Sequence, residues 1–157
     1  MKVEQLMTKN IASCTPEWSL NDAARLMWEN DCGCIPVTSG GETNLVLGML
    51  TDRDICMNAY FRGGSLSELS VGDAMSKTPT RCLPSTTHKE AEAMMRSARV
   101  RRLPVVDDAG GLLGILSLAD LVHGQRSPGR QITKAEISDL LVAICEPELT
   151  KERRKPE

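Results

Sequence analysis

The chain has 157 residues, 41% of them hydrophobic and 3% aromatic, and its 19 basic and 21 acidic side chains leave a net charge of −2. That is the scale of one compact unit with an ordinary core, and the near-neutral balance offers no broad attraction for nucleic acid or an anionic membrane. So few aromatic rings leave no stacking platform for single strands, no apolar run approaches the roughly 18 residues of a membrane span, and the opening MKVEQLMTKN lacks the apolar core of a secretion signal, so a cytoplasmic location is expected.

In chain order, the extended piece IASCTP leads to a helix with Ser19 as N-cap and Asp22 three residues on. Apolar residues at 20, 23, 24 and 27 form its inward stripe. Two strands follow, CIPVT and LVLGML, joined by the turn SGGETN, and a second helix opens at Thr51. Beyond the linker at 63–70 the order recurs: PTRCLP, a helix capped by Thr87 with Glu90, an apolar stripe at 91, 94, 95 and 98, the strands RLPVVD and LLGILS around DDAGG, and a helix at Ser117.

An internal repeat explains this recurrence. A shift of 68 positions aligns Val3 with Val71, Met7 with Met75, Cys14 with Cys82, Pro16 with Pro84 and Met27 with Met95; after a two-residue deletion, Gly48 and Asp54 match Gly114 and Asp120. A tandem duplication of about 55 to 60 residues is therefore expected, with units at 1–62 and 71–125. Neither unit alone buries enough surface for independent stability, so the two should share an interface. An extension at 126–157 begins with RSPGR and carries a further helix at about 133–146, opened by the capping box TKAE. Its stripe of Ile137, Leu140, Leu141 and Ile144 must cover either its own module or a partner; Pro147 and the charged tail follow.

The repeated GMLTDRD and GILSLAD place Thr51 with Asp54, and Ser117 with Asp120, at helix positions N-cap and N3. Either pair is able simply to cap its helix. The same helix entrance also presents free N–H groups and a partial positive charge suited to phosphate, with the hydroxyl as an extra donor. A carboxylate one turn in suits the hydroxyls of a ribose.

The doubled LMTKN…PVT…GMLTDRD and AMSKT…LPVVD…GILSLAD resemble tandem cystathionine-β-synthase (CBS) domains, the pair called a Bateman module, over about residues 1 to 125. The resemblance implies an α/β (α+β) fold of two pseudo-symmetric β-α-β-β-α units packed through their sheets, to which the C-terminal helix is added. It implies a regulatory homodimer that binds an adenosyl nucleotide of the AMP, ADP, ATP or NAD type in clefts between the units, for an unknown effector protein.

By the same resemblance Arg101 and Arg102, in RSARVRR before the LPVV strand, face the phosphates, whereas the first unit has Gly33 and Cys34 there. Adenine lining is implied for Ile11 and Ala12 in NIA, for Thr78 and Thr80 in TPT, and for Ile35, Pro36, Leu103 and Pro104. The cleft with the arginines is then expected to bind phosphorylated ligands more tightly.

No nucleophile–base–orienter set, Walker loop or GxGxxG run is present, so the chain is not expected to be an enzyme, and no catalytic cofactor or metal site is assigned. Two other readings stay open. One is a structural dimerisation module with vestigial clefts; the other is a redox or metal sensor built on the six cysteines, which show no paired C-x-x-C spacing.

Overall fold

The computed structural model describes residues 1–124 and 132–145. A 3-10 turn at Val3–Gln5 precedes β1 (Thr8–Lys9), α1 (Leu20–Glu29), β2 (Cys34–Thr38), β3 (Val46–Thr51) and α2 (Asp52–Arg62). The second unit repeats the order: a short α3 (Val71–Ala74), β4 (Ser76–Lys77), α4 (His88–Ala98), β5 (Arg102–Val106), β6 (Leu112–Ser117) and α5 (Leu118–Gly124), after which comes α6 (Lys134–Cys145). RSPGR, Pro147 and the tail lie outside the described residues.

The helices begin where their caps require. Ser19 Oγ accepts the Asp22 N–H at 3.1 Å, and Thr87 with Glu90 forms a reciprocal box in which Glu90 Oε2 accepts the Thr87 N–H at 2.8 Å. Leu20, Ala23 and Met27 on α1, and Ala91 and Met95 on α4, are buried. Each stripe has a less buried member: Ala24 on α1 is only partly covered, and Ala98 at the end of α4 is exposed.

Each hairpin is antiparallel, with Ile35 opposite Leu50 and Leu103 opposite Leu116. The two-residue period of a strand sends Ile35, Val37 and Leu50 into one core, and Leu103, Val105 and Leu116 into the other.

The third strand of each sheet is not where the sequence suggested. IASCTP and PTRCLP make one parallel bridge each, Cys14 to Val37 and Cys82 to Val105. A parallel ladder would next need an N–H from Pro36 or Pro104, and proline has none. The strand instead comes from upstream and from the other unit: the sheets run β1-β6-β5 and β2-β3-β4. Gly48 and Gly114 permit this exchange. A Cβ at Gly48 would stand 2.5 Å from the Ser76 carbonyl oxygen, and one at Gly114 would strike the Thr8 carbonyl oxygen.

The exchange extends into the cores. Val3 lies in the second unit's cluster, with its N–H donating to the Thr86 carbonyl at 2.8 Å. Leu69 and Val71 lie in the first unit's cluster, and the Val71 N–H donates to the Trp18 carbonyl at 2.9 Å.

The stripe on α6 covers its own module. Ile137 and Leu140 are buried in the second core beside Met95 and Leu121, Ile144 packs partly against it, and Leu141 points away. Thr133 and Glu136 complete the expected box, with Glu136 Oε2 accepting the Thr133 N–H at 2.7 Å. No helix of the described residues is long and apolar enough to cross a membrane.

Candidate functional site: two clefts between the units

The strand exchange leaves a cleft beside each hairpin. One, of about 630 Å³, lies between Cys34, Met49 and Thr51 of the first hairpin, the 76–80 segment behind β4, and Arg99, Arg101, Arg102 and Pro104. Arg53 and Lys77 add further cations, and among the described residues Asp52 is the only carboxylate lining it. The other, of about 390 Å³, is lined by Thr8, Asn10, Ile11 and Ala12, by Asn30, Asp31 and Cys32, by Cys34 and Pro36, and by Ile115, Ser117 and Asp120. Among the described residues Arg102 is its one cation, against Asp31 and Asp120. They are called here the arginine cleft and the acidic cleft.

Their frames repeat closely. Asn10 and Thr78, 68 positions apart, both adopt left-handed backbone, at φ 54° and 53°; so do Asp31 and Arg99, at 48° and 53°. Asn and Asp tolerate this region, whereas a β-branched threonine there is strained by about 1–3 kcal/mol. Thr78 holds that conformation with its hydroxyl donating to the Lys77 carbonyl at 2.7 Å. Strained backbone at a cleft wall fits a segment shaped for contact rather than for stability.

Proline shapes the same walls. Because Pro36 and Pro104 cannot donate to the neighbouring chain, Ala12 and Thr80 are released from a ladder and line open space.

The expected residues divide between the clefts. Thr51, Thr78, Thr80, Arg101, Arg102 and Pro104 come together in the arginine cleft. Ile11, Ala12, Pro36, Ser117 and Asp120 come together in the acidic cleft, and Arg102 reaches both. Ile35 and Leu103, expected to line adenine, do neither: they are 1% and 0% exposed and face the cores, since strand alternation gives the cleft to their neighbours Pro36 and Pro104.

The helix entrances also depart from expectation. Asp54 Oδ2 accepts the Thr51 N–H at 2.9 Å and the Thr51 hydroxyl at 2.7 Å, while Thr51 Oγ1 accepts the Asp54 N–H at 3.1 Å. Ser117 and Asp120 repeat the arrangement at 2.7, 2.6 and 3.2 Å. Each hydroxyl proton is therefore already committed to a carboxylate and is not on offer to a phosphate. Asp54 is absent from both cleft walls. Asp120 does line the acidic cleft, where Oδ1 accepts the Thr8 hydroxyl at 3.3 Å across the strand exchange. Neither cleft is closed by these caps.

Residues the motif reading passed over are Arg53, Lys77 and Arg99 on one side and Asp31 on the other. The repeat carried the signal for the last pair: its 68-residue shift sets Asp31 against Arg99, just as it sets Gly33 and Cys34 against Arg101 and Arg102.

Three of the six thiols are buried and have little reactivity. Burial pushes Cys14, Cys34 and Cys82 up to about 11, so each is held as the protonated form, a poor nucleophile and metal ligand. Among the described residues no cluster of three His, Cys, Asp or Glu is placed to hold a metal ion.

The CBS domain profile matches residues 3–59 and 71–126, the two halves of the repeat. The chain belongs to the CBS domain family. The CBS domain-containing protein YhcV of Bacillus subtilis is 34% identical over 125 residues, covering 80% of this chain and 86% of that protein. A conserved CBS domain protein of unknown function from Thermoplasma acidophilum superposes with a TM-score of 0.75 at 26% identity, over 91% of this chain and 75% of the other. CBSX2, solved in complex with AMP, superposes at 0.66 with 28% identity, over 78% and 93% of the two chains. The two three-stranded sheets with their helices are thus the tandem CBS pair, and both clefts lie between its two CBS units.

Proposed function

We propose that this CBS pair is a regulatory sensor for a phosphorylated adenosyl ligand of the AMP, ADP, ATP or NAD type, with the arginine cleft as its principal site. The observation that carries the reading is the convergence of Arg99, Arg101, Arg102, Arg53 and Lys77 on a cleft with one opposing carboxylate among the described residues. Guanidinium groups bind phosphate oxygens through charge-assisted, often paired hydrogen bonds. The AMP complex of the similar CBSX2 supports the ligand class. Pro104 and Met49 offer apolar surface to the base, and the 78–80 backbone offers polar groups to its edge. A ribose in the acidic cleft is assigned to Asp120, whose Oδ1 lies outside the cap and is shared with the Thr8 hydroxyl; Asp54, which lines neither cleft, is given no ligand contact.

A ligand held by both units biases their relative orientation as far as it prefers one arrangement. Arg101 Nη2 also donates to Cys145 Sγ at 3.5 Å, at the end of α6. A phosphate that takes up Arg101 therefore competes with α6, which makes this helix the output element toward an effector. The working unit in this reading is a homodimer without enzymatic activity.

A scaffold with vestigial clefts is the second reading, favoured by capping boxes that are complete without a ligand. Calorimetric titration of the full chain with AMP, ATP, NAD and adenosine separates the two. Phosphorylated ligands are expected to bind at least about tenfold more tightly than adenosine. Equal affinities remove the arginines from the site, and silence from all four leaves the scaffold.

A further inference from the structure

The two units carry different residues on equivalent helix faces. At the 68-residue shift, Leu20 and Ala24 of α1 correspond to His88 and Glu92 of α4. In the first unit Ala24 lines an open groove of about 670 Å³ between α1 and α2. In the second that face is covered by α6, whose Ile137 and Leu140 pack with Met95 of α4 and Leu121 of α5. Alanine thus stands where water reaches and glutamate where it does not: His88 and Glu92 are 4% and 7% exposed.

Neither polar side chain is satisfied there. Among the described residues, the buried side-chain atoms without a hydrogen-bond partner are His88 Nε2 and Glu92 Oε1 on α4 and Asn58 Oδ1 on α2. His88 Nδ1 stands 3.2 Å from both the ammonium nitrogen and the carbonyl oxygen of Met1, which leaves Nε2 as its unpaired atom. A buried polar atom left unpaired works against the packing that buries it. Two of them one turn apart, where the other repeat has leucine and alanine, weaken the seat of one helix.

We propose that Glu92 makes α6 a pH-released flap: the helix lies down on the second unit while the Glu92 carboxyl carries its proton, and lifts when the carboxyl ionises. This goes beyond the reading above, since it sets what governs the helix named there as the output element and holds whether or not a nucleotide binds. An ionised Glu92 under α6 is a buried charge with one oxygen unpaired, whereas lifting the helix gives it water.

The charges around it do not replace that water. On α4, His88, Arg96 and Lys89 favour the ionised form, and from α6 the Glu136 carboxylate opposes it. Lys89 is turned toward Glu136, Nζ to Oε1 at 3.8 Å, and the Met1 ammonium lies against His88. Burial outweighs the cations and holds the Glu92 carboxyl above the ordinary glutamate range. The apolar contacts of Ile137 and Leu140 do not change with pH, so the carboxyl supplies the dependence. A rise in pH through the raised value shifts α6 toward the lifted state.

Hydrogen exchange of the full chain without nucleotide, read as protection factors from about pH 4 to about pH 8 on both sides of a raised glutamate, tests this. The amides of α6 are expected to lose protection relative to those of α1 by at least about threefold, the low end of what a buried hydrogen bond is worth. Glu92→Gln should keep α6 protected throughout, and so should Glu92→Ala, which installs the first unit's residue and serves if glutamine disturbs the packing. Constant protection of α6 in the wild type overturns the proposal. So does a loss shared equally by α1, which is global unfolding, or one that persists in both Glu92 variants. A loss that His88→Gln abolishes while Glu92→Gln retains it gives the switch to the imidazole and overturns the assignment to Glu92. Titration with ATP keeps the two readings apart: a chain that binds no ATP yet releases α6 with pH upholds the flap and loses only the ligand.

Discussion

The arginine cleft and the acidic cleft share a backbone, down to matching left-handed residues at Asn10 and Thr78 and at Asp31 and Arg99, yet they carry opposite charge. Duplication supplied two equivalent concavities, and a handful of surface substitutions separated their chemistry. Backbone conformation at such positions is held by packing across the whole unit, so it persists. A side chain at a cleft wall touches little else, so its charge is at liberty to change. In the function proposed above, this difference gives phosphate to the arginine cleft and makes the other a poorer site for it.

The largest expected effect tests that assignment directly. Arg101→Ala together with Arg102→Ala should weaken ATP binding by at least about 100-fold, as two charge-assisted hydrogen bonds are lost. Calorimetry reads it, and an unchanged affinity would erase the distinction between the clefts.

Next come the glycines that admit the exchanged strands. Gly48→Ala drives a methyl into the Ser76 carbonyl and should displace the 78–80 wall of the arginine cleft; Gly114→Ala does the same to Thr8 and the 10–12 wall of the acidic cleft. Each should cost about 1–3 kcal/mol in urea unfolding, the usual range for overpacking, but only Gly48→Ala should also reduce ATP affinity. Equal losses of affinity would mean that the clefts act as one.

Smaller effects attach to the caps. Thr51→Ala and Ser117→Ala should each destabilise by about 1 kcal/mol, the loss of an N-cap oxygen. Thr51→Ala should change ATP affinity only a few-fold, because its hydroxyl proton already lies on Asp54. A loss approaching that of the arginine pair would restore the hydroxyl as a phosphate donor.

The smallest concerns Glu92, which stands at the repeat position of Ala24. Burial foremost, and then the Glu136 carboxylate, hold its carboxyl above the ordinary glutamate value, against the pull of His88, Arg96 and Lys89. The folded chain thus binds this proton more tightly than the unfolded one does. The contribution is fully present below the ordinary value and is lost as pH rises through the raised one. Glu92→Gln should remove this slope and be the more stable protein on the alkaline side, as read by urea unfolding at several pH values. Ala24→Gln, in the open groove of the first unit, should leave the slope in place.

Much of this was legible in one dimension. Capping residues, apolar stripes and hairpin turns are local signals, and Ser19, Thr51, Thr87 and Thr133 all cap where their spacing implied. The arginines were legible as cations beside a strand. Their gathering with Lys77 and Arg53 was not, since it depends on β4 crossing to β3. Asp54 was misread because a cap and a ligand contact share one motif, and only the positions of the atoms tell which oxygen is used. Ile35 and Leu103 were misread although strand alternation already assigned them to the side opposite Pro36 and Pro104.

The sequence by itself determined the duplication, the helix starts and the unequal charge of the two halves, because each rests on residues a few positions apart or on a fixed offset. The tertiary structure alone decided that each half lends a strand to the other, that α6 covers the second unit while the first stays open, and which groups share a cleft. Those outcomes depend on long-range packing, in which proline's missing N–H and glycine's missing Cβ select between partners that the local pattern leaves equivalent.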